Sequence, residues 1–333
     1  MNIYKGVEIP TFENFETPIH VENRNFRTKN TDKYFELSSD EAINLPQEDG
    51  LVVSSDYVRF VNCPVCSSND DKQLLVKWGF KVSICKVCEH TFVKNQLTPS
   101  KLGELYKYSE VDKLFQARKK QDQGLNKYWT LVYAKYLQKL KENLGDNAVL
   151  LDIGAGGGDF ISLCDELTEF ELHAMEFSEN SAALLTSIVG SDNLYRDKIS
   201  DTNFGDNKFD IITMFGVLEH IDNPVKELKK CVDILNKNGK LLILVPNLQC
   251  RAFKILGISV PMLNPRSHLN YFSKESMEFL CNRTGLTIRE YFQELPVIDL
   301  MYEFIDYGED LVNGILDDNE SYYSVYLLSH KKT

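Results

Sequence analysis

The stretch Val149-Leu-Leu-Asp-Ile-Gly-Ala-Gly-Gly-Gly-Asp-Phe160 governs the reading of the whole chain. An aliphatic run carries Asp152 near its end, and glycine fills four of the five positions after Ile153. This pattern describes a buried strand that stops and turns tightly into a helix, with a backbone that something must approach closely. Gly154, Gly156 and Gly158 nearly satisfy the dinucleotide fingerprint, whose glycines permit the turn, admit a ligand and bring helix against strand. By itself the loop names no particular nucleotide.

Two features further along narrow the ligand. The next apolar run, Glu171 to Phe177, carries Glu176 at its end, where a carboxylate accepts both hydroxyls of a ribose. Beyond it stand Phe209-Asp-Ile-Ile-Thr-Met-Phe-Gly-Val-Leu-Glu-His-Ile-Asp-Asn-Pro224 and Lys237-Asn-Gly-Lys-Leu-Leu-Ile-Leu-Val-Pro-Asn247. With these segments the sequence resembles the class I S-adenosylmethionine (SAM) methyltransferases, in the broad branch with Val-Leu-Glu-His-Ile after the fourth strand. The resemblance runs from about Asp146 to the end and implies SAM as the cofactor.

Strand and helix alternate through this part. Strands are expected at 149–153, 172–177, 193–195, 209–214, 240–245, 287–292 and 323–329, and helices at 159–167, 178–188, 224–235 and 274–284. That order predicts an α/β, Rossmann-like, seven-stranded doubly wound sheet. The resemblance adds a reversed final strand. Ahead of it, Tyr128, Leu131, Val132, Ala134, Tyr136, Leu137 and Leu140 fall on one stripe of a helix over 125–144, which would cover one face of the sheet.

Four of the eight cysteines form a second signal. Cys63, Cys66, Cys85 and Cys88 follow Cys-x2-Cys-x18-Cys-x2-Cys, the spacing with which two turns converge four thiolates on zinc. Four sulfur ligands leave no open position, so the zinc is expected to be structural. A thiol–disulfide role is the alternative. His90 is expected on the surface, since the thiolate set is already complete. Cys164, Cys231, Cys250 and Cys281 stand alone and read as reduced, buried residues.

The chain thus divides into an N-terminal extension (1–58), a zinc ribbon (59–98), a helical connecting segment (99–145) and the SAM-binding domain (146–333). The extension shows no sustained period and reads as short strands packed on the body or as a partly ordered arm. With 333 residues, 43% of them hydrophobic, the chain can hold one large domain and a small one. A net charge of −12 argues against a broad nucleic-acid footprint. No run reaches the ~20 apolar residues of a membrane span. The first residues lack the basic and apolar regions of a secretory signal, so the expected location is cytoplasmic.

A ribbon, then Leu105-Tyr-Lys-Tyr-Ser109, then a SAM domain resembles the C-methyltransferases of nucleotide-linked deoxysugars. That resemblance implies a tyrosine of the segment, Tyr106 or Tyr108, in the active site. It also implies a small acceptor, a sugar or nucleotide-linked sugar of polysaccharide or natural-product biosynthesis. The additional C-terminal domain of that family has no counterpart after 329, which moves the expectation toward O-methylation, with C- or N-methylation as alternatives. Two other readings stay open: an RNA base methyltransferase docking through the ribbon, and a non-catalytic SAM-binding protein.

The expected cofactor contacts are Asp152, Gly154, Ala155 and Gly156 at the amino-acid tail, Glu176 at the ribose, and Phe177 and Ile199 at the adenine. Met214, Phe215 and Gly216 end the fourth strand, where the methyl group should point. His220 follows directly and is a candidate general base, with an ordinary imidazole pKa near ~6.5. Glu219 and His220 could equally orient the next helix. His268 is the second candidate base, in an insertion expected to roof the acceptor. Glu219, Arg251, Arg266 and Tyr271 are the expected acceptor contacts, because guanidinium groups pair bidentately with phosphate or carboxylate.

Overall fold

The structure, a computed structural model, describes residues 2–15, 37, 44–108, 123–142, 144–145, 147–295 and 309–331. At the N-terminus, β1 (Asn2–Tyr4) and β2 (Val7–Ile9) pair antiparallel. They bury Tyr4 and Ile9 in the main core, and the Gln138 side chain donates to the Pro10 carbonyl at 2.7 Å. Over these residues the extension is therefore a pair of short strands packed on the body.

Five strands follow: β3 (Val58–Phe60), β4 (Asp71–Lys77), β5 (Phe80–Cys85), β6 (Thr91–Val93) and β7 (Asn95–Leu97). Helix α1 (Pro99–Tyr108) and the long α2 (Gln123–Lys141) lead into the larger sheet. Then come β8 (Val149–Ile153), α3 (Asp159–Leu167), β9 (Glu171–Met175), α4 (Glu179–Val189), β10 (Leu194–Tyr195), β11 (Phe209–Phe215), α5 (Pro224–Ile234) and β12 (Leu235–Pro246). The remainder is α6 (Arg251–Leu256), β13 (Asn270–Tyr271), α7 (Lys274–Thr284), β14 (Leu286–Glu294), α8 (Glu309–Asp317) and β15 (Tyr323–His330).

The large sheet has seven strands in the order β10-β9-β8-β11-β12-β15-β14. Only β15 is reversed, antiparallel to both β12 and β14. Alternate residues of each strand face opposite layers. Leu150, Leu242 and Leu244 meet α2 and α3, while Leu151, Ile153, Leu241 and Ile243 meet α5 and α7. With both faces covered, the parallel strands read as near-continuous apolar runs. The expected strands and the four expected helices of this part are present. β12 starts earlier than expected, because Leu235 pairs with Phe209 ahead of an irregularity that the polar run Asn236 to Gly239 disguised as a turn.

The ribbon is not an appendage. β13, from the insertion before α7, pairs with β6 and completes a four-stranded sheet, β13-β6-β5-β4. Cys63, Val65, Cys85, Cys88 and Phe92 share one buried cluster with Leu151, Ile212, Met277 and Leu280. Arg283 donates to the Val65 carbonyl at 2.6 Å, and Arg59 pairs with Asp222 at 2.8 Å. The ribbon's other side packs on the insertion through Phe80, Val82, Val260, Met262 and Leu263. Ribbon and insertion together cover the region beside the carboxyl ends of the strands.

Candidate functional site

Strand β8 ends in the glycine loop, where Gly154, Gly156 and Gly158 take φ of +71°, +53° and +78°. This left-handed region suits glycine because it has no Cβ. At Gly154 the requirement is also steric, since a Cβ there would lie 2.5 Å from Val217 Cγ2. The N–H groups of Gly154 and Ala155 donate to the Met175 carbonyl at 2.8 and 3.1 Å, which ties the loop to β9.

Glu176 stands just past β9 and faces this loop. Its Oε2 accepts from the Gly156 N–H at 2.7 Å and its Oε1 from the Ser178 N–H at 2.8 Å. Each carboxylate oxygen has a further lone pair, so a ribose diol fits against a group already held in place. Asp152 is buried and accepts from Thr213 Oγ1 at 2.7 Å. Phe177 is 57% exposed next to Glu176, and Ile199 is buried in the core on the α5 side of the sheet. Phe215 packs on Tyr133 and Phe160, with ring centroids 5.0 and 4.9 Å apart.

The end of β11 brings a second group of side chains together. A Cβ on Gly216 would lie 3.5 Å from Glu219 Oε1, so the carboxyl group of Glu219 sits at the strand's end. Glu219 is 3% exposed, and among the described residues its Oε2 has no hydrogen-bond partner. Burial pushes this carboxyl up to about 8. His220 Nδ1 lies 3.0 Å from the Ser267 carbonyl and His268 Nδ1 2.7 Å from the Met262 carbonyl. A carbonyl only accepts, so both rings carry their N–H on Nδ1. The rings meet edge to face at 4.7 Å.

Burial pushes His220 down to about 3, and the neighbouring His268 adds to this. Burial likewise pushes His268 down to about 4, with the Lys77 ammonium adding to it. The ordinary imidazole pKa expected for His220 does not hold, because the half-buried ring is desolvated beside a second imidazole. Both rings are neutral at neutral pH. One donor atom from each of Glu219, His220 and His268 lies within 4.8 Å of the others.

The remaining expected acceptor contacts are spread. Tyr271 is buried on β13, 6.4 Å ring to ring from His268, and Arg266 is buried in the same insertion. Arg251 instead pairs with Asp318 at 3.0 Å and with Glu320, which also holds Lys254. The positive charge of the insertion is thus neutralised at Arg251 and Lys254. Tyr106 and Tyr108 belong to α1, and their side chains lie outside the described residues.

The sequence reading missed the residues that fix this group. The Leu269 N–H donates to the Glu219 carbonyl at 2.7 Å, and the Val93 N–H donates to the Leu269 carbonyl at 2.9 Å. Asn270 Nδ2 donates to the Ile221 carbonyl at 2.6 Å, and its Oδ1 accepts from His90 Nε2 at 3.1 Å. His90 is fully buried, not on the surface. A ribbon residue and an insertion residue therefore clamp the turn that carries Glu219 and His220. The only local hint was a polar pair, His90 and Asn270, set in apolar neighbourhoods.

The four ribbon cysteines converge as well. Cys63 and Cys88 sulfurs are 3.5 Å apart, those of Cys66 and Cys85 3.4 Å, and all four lie within 4.8 Å of one another. A tetrahedron with Zn–S bonds of ~2.3 Å has edges of about 3.8 Å, so the set fits zinc.

Fold and site define a Rossmann-like methyltransferase domain. The family described as "Methyltransferase domain" matches residues 125–291, and the chain belongs to it. Among curated proteins, the chain is similar to the ubiquinone biosynthesis O-methyltransferase of Glaesserella parasuis serovar 5 (strain SH0165), 31% identical over 121 residues. The match covers 33% of this chain, and the chain spans half the length of that relative. Similar solved structures include a S-adenosylmethionine-dependent methyltransferase from Clostridium acetobutylicum ATCC 824, with TM-score 0.43 and 14% identity over 61% of this chain and 91% of that one. Another is phospholethanolamine N-methyltransferase 2 of Haemonchus contortus, in complex with phosphomonomethylethanolamine and S-adenosylhomocysteine (SAH). Its TM-score is 0.49, with 16% identity over 73% of this chain and 63% of that one. Among the described residues no helix is long and apolar enough to cross a membrane.

Proposed function

We propose that the protein transfers the methyl group of SAM to a hydroxyl of a small acceptor, with a structural zinc held by Cys63, Cys66, Cys85 and Cys88. The observation that carries this reading is the glycine turn tied to the fixed Glu176 carboxylate through the Gly156 N–H, with Val217, next to the Glu219–His220 segment, packed against Gly154. The side-chain-free turn at Gly156 leaves its backbone open to the amino-acid tail, and Asp152 buttresses the loop from the strand end. Glu176 accepts the ribose hydroxyls, and Phe177 offers an exposed ring beside them for adenine.

Bound SAM supplies a methyl group on a positively charged sulfur. The protein's part is to align the acceptor oxygen with that methyl and to exclude water. One C–S bond breaks, one C–O bond forms, and the hydroxyl proton passes to solvent. Glu219, His220 and His268 hold the acceptor oxygen at the end of β11. Likeness to an O-methyltransferase favours oxygen as the acceptor atom. The ribbon and tyrosine segment favour a sugar, nucleotide-linked or in a polysaccharide precursor, with Arg266, Tyr271 and a tyrosine of α1 as its further contacts.

The test is label transfer from SAM to a panel of nucleotide sugars, with His220→Ala and His268→Ala beside the wild type. Each variant should lower kcat by about 10²–10⁴, the usual worth of a group that assists proton loss. SAH affinity should stay within about twofold, well under the tenfold that 1.4 kcal/mol represents. Equal losses of turnover and SAH affinity would make these histidines scaffold, and a wild type that labels no hydroxyl would remove the reading.

A further inference from the structure

The turn after β11 and the loop before β13 bring two imidazoles and one carboxyl group to a point. Their donor atoms lie within 4.8 Å of one another. Each imidazole spends its Nδ1 on a backbone carbonyl, Ser267 for His220 and Met262 for His268. That assignment leaves Nε2 as the nitrogen with a lone pair in both rings. Histidines that ligate metals are oriented in this way, by a hydrogen bond from the other nitrogen to a carbonyl. Glu219 contributes a carboxyl group that is 3% exposed, and among the described residues its Oε2 has no hydrogen-bond partner. Buried carboxyl oxygens are normally satisfied by a donor or a cation. The two rings stand edge to face at 85°, with centroids 4.7 Å apart.

We propose that Glu219, His220 and His268 bind one divalent first-row metal ion, separate from the zinc of the thiolate cluster. Two imidazole nitrogens and one carboxylate oxygen suit Mn²⁺, Fe²⁺, Co²⁺ or Zn²⁺ better than Mg²⁺ or Ca²⁺, which favour all-oxygen sites. Three protein ligands leave coordination positions open, as in catalytic and not structural sites. The use of the ion rests on the methyl-transfer reading above. An acceptor hydroxyl that joins it releases its proton to solvent more readily than a free hydroxyl does. The oxygen then forms the C–O bond as the C–S bond breaks. His220 and His268 serve as ligands in this scheme.

The experiment uses the full chain with its thiolate cluster saturated by zinc. Mn²⁺ is added and the free ion is followed by electron paramagnetic resonance, since thiolates do not favour it. The wild type should remove one equivalent of Mn²⁺ from solution. Glu219→Gln and His268→Gln should each weaken that binding at least tenfold while SAH binding, measured by calorimetry, persists. A wild type that leaves Mn²⁺ free, and takes up no second equivalent of Co²⁺ or Zn²⁺, overturns the proposal. So do variants that bind Mn²⁺ as tightly as the wild type. SAH binding without a second ion rejects only the ion; Mn²⁺ binding without SAH binding rejects the methyl-transfer reading instead.

Discussion

Replacing Gly154 by alanine is expected to reduce SAH affinity by more than tenfold while leaving the chain folded. Two costs act at one place. The residue is held at φ +71°, where an L side chain costs roughly 1–2 kcal/mol. The new Cβ would also lie 2.5 Å from Val217 Cγ2, so loop or valine must move. Either shift displaces the backbone that faces the cofactor or the turn that carries Glu219. A control separates strain from contact: Gly285 has φ +83°, and among the described residues nothing lies within 4 Å of its would-be Cβ. Gly285→Ala should lower stability by about 1 kcal/mol and leave SAH binding intact. Calorimetry on both variants checks the pair, and equal SAH affinities would mean that the glycine turn does not face the ligand.

Loss of zinc should be the most damaging change to stability. Structural zinc contributes about 10–16 kcal/mol to small zinc-dependent folds, against about 5–15 kcal/mol for whole domains. Here the ribbon is fused to the rest: Cys85, Cys88 and Phe92 pack with the sheet core, and β6 pairs with β13. Cys88→Ser should therefore purify without stoichiometric zinc. A loss of even about 5 kcal/mol would lower Tm by roughly 10–20 °C. Because Leu269 and Asn270 hold the Glu219–Ile221 turn, the zinc-free protein should lose turnover more than SAH affinity. Elemental analysis finding no zinc in the wild type, or a Tm unmoved by Cys88→Ser, would contradict this account.

The fold of the larger part was legible because its signals are local. A strand ending in glycines, Glu176 one β-unit later and alternating apolar runs each constrain neighbours in sequence, and their boundaries agree with the structure to within a few residues. The four cysteines were legible for a different reason: two short Cys-x2-Cys turns need only each other. What the sequence concealed depends on pairs far apart. Asn270 lies 180 residues from His90, and Asp318 lies 67 from Arg251. No periodicity records such partners, so His90 read as a surface group and Arg251 as an acceptor contact. The same distance hid the insertion's role, since β13 is two residues long and has strand character only through its pairing with β6. His220 and His268 were visible as residue types. Their packing against one another was not, and the desolvation that comes with it is what removes the ordinary imidazole pKa.

Titration calorimetry of the zinc-loaded protein with SAH addresses the central claim most directly, because it needs no knowledge of the acceptor. A single saturable site should appear in the wild type, and it should weaken more than tenfold in Glu176→Ala, which loses the carboxylate facing Gly156. No heat from SAH or SAM with folded protein, or a Glu176→Ala variant that binds as the wild type does, would leave the fold standing and remove the cofactor from it.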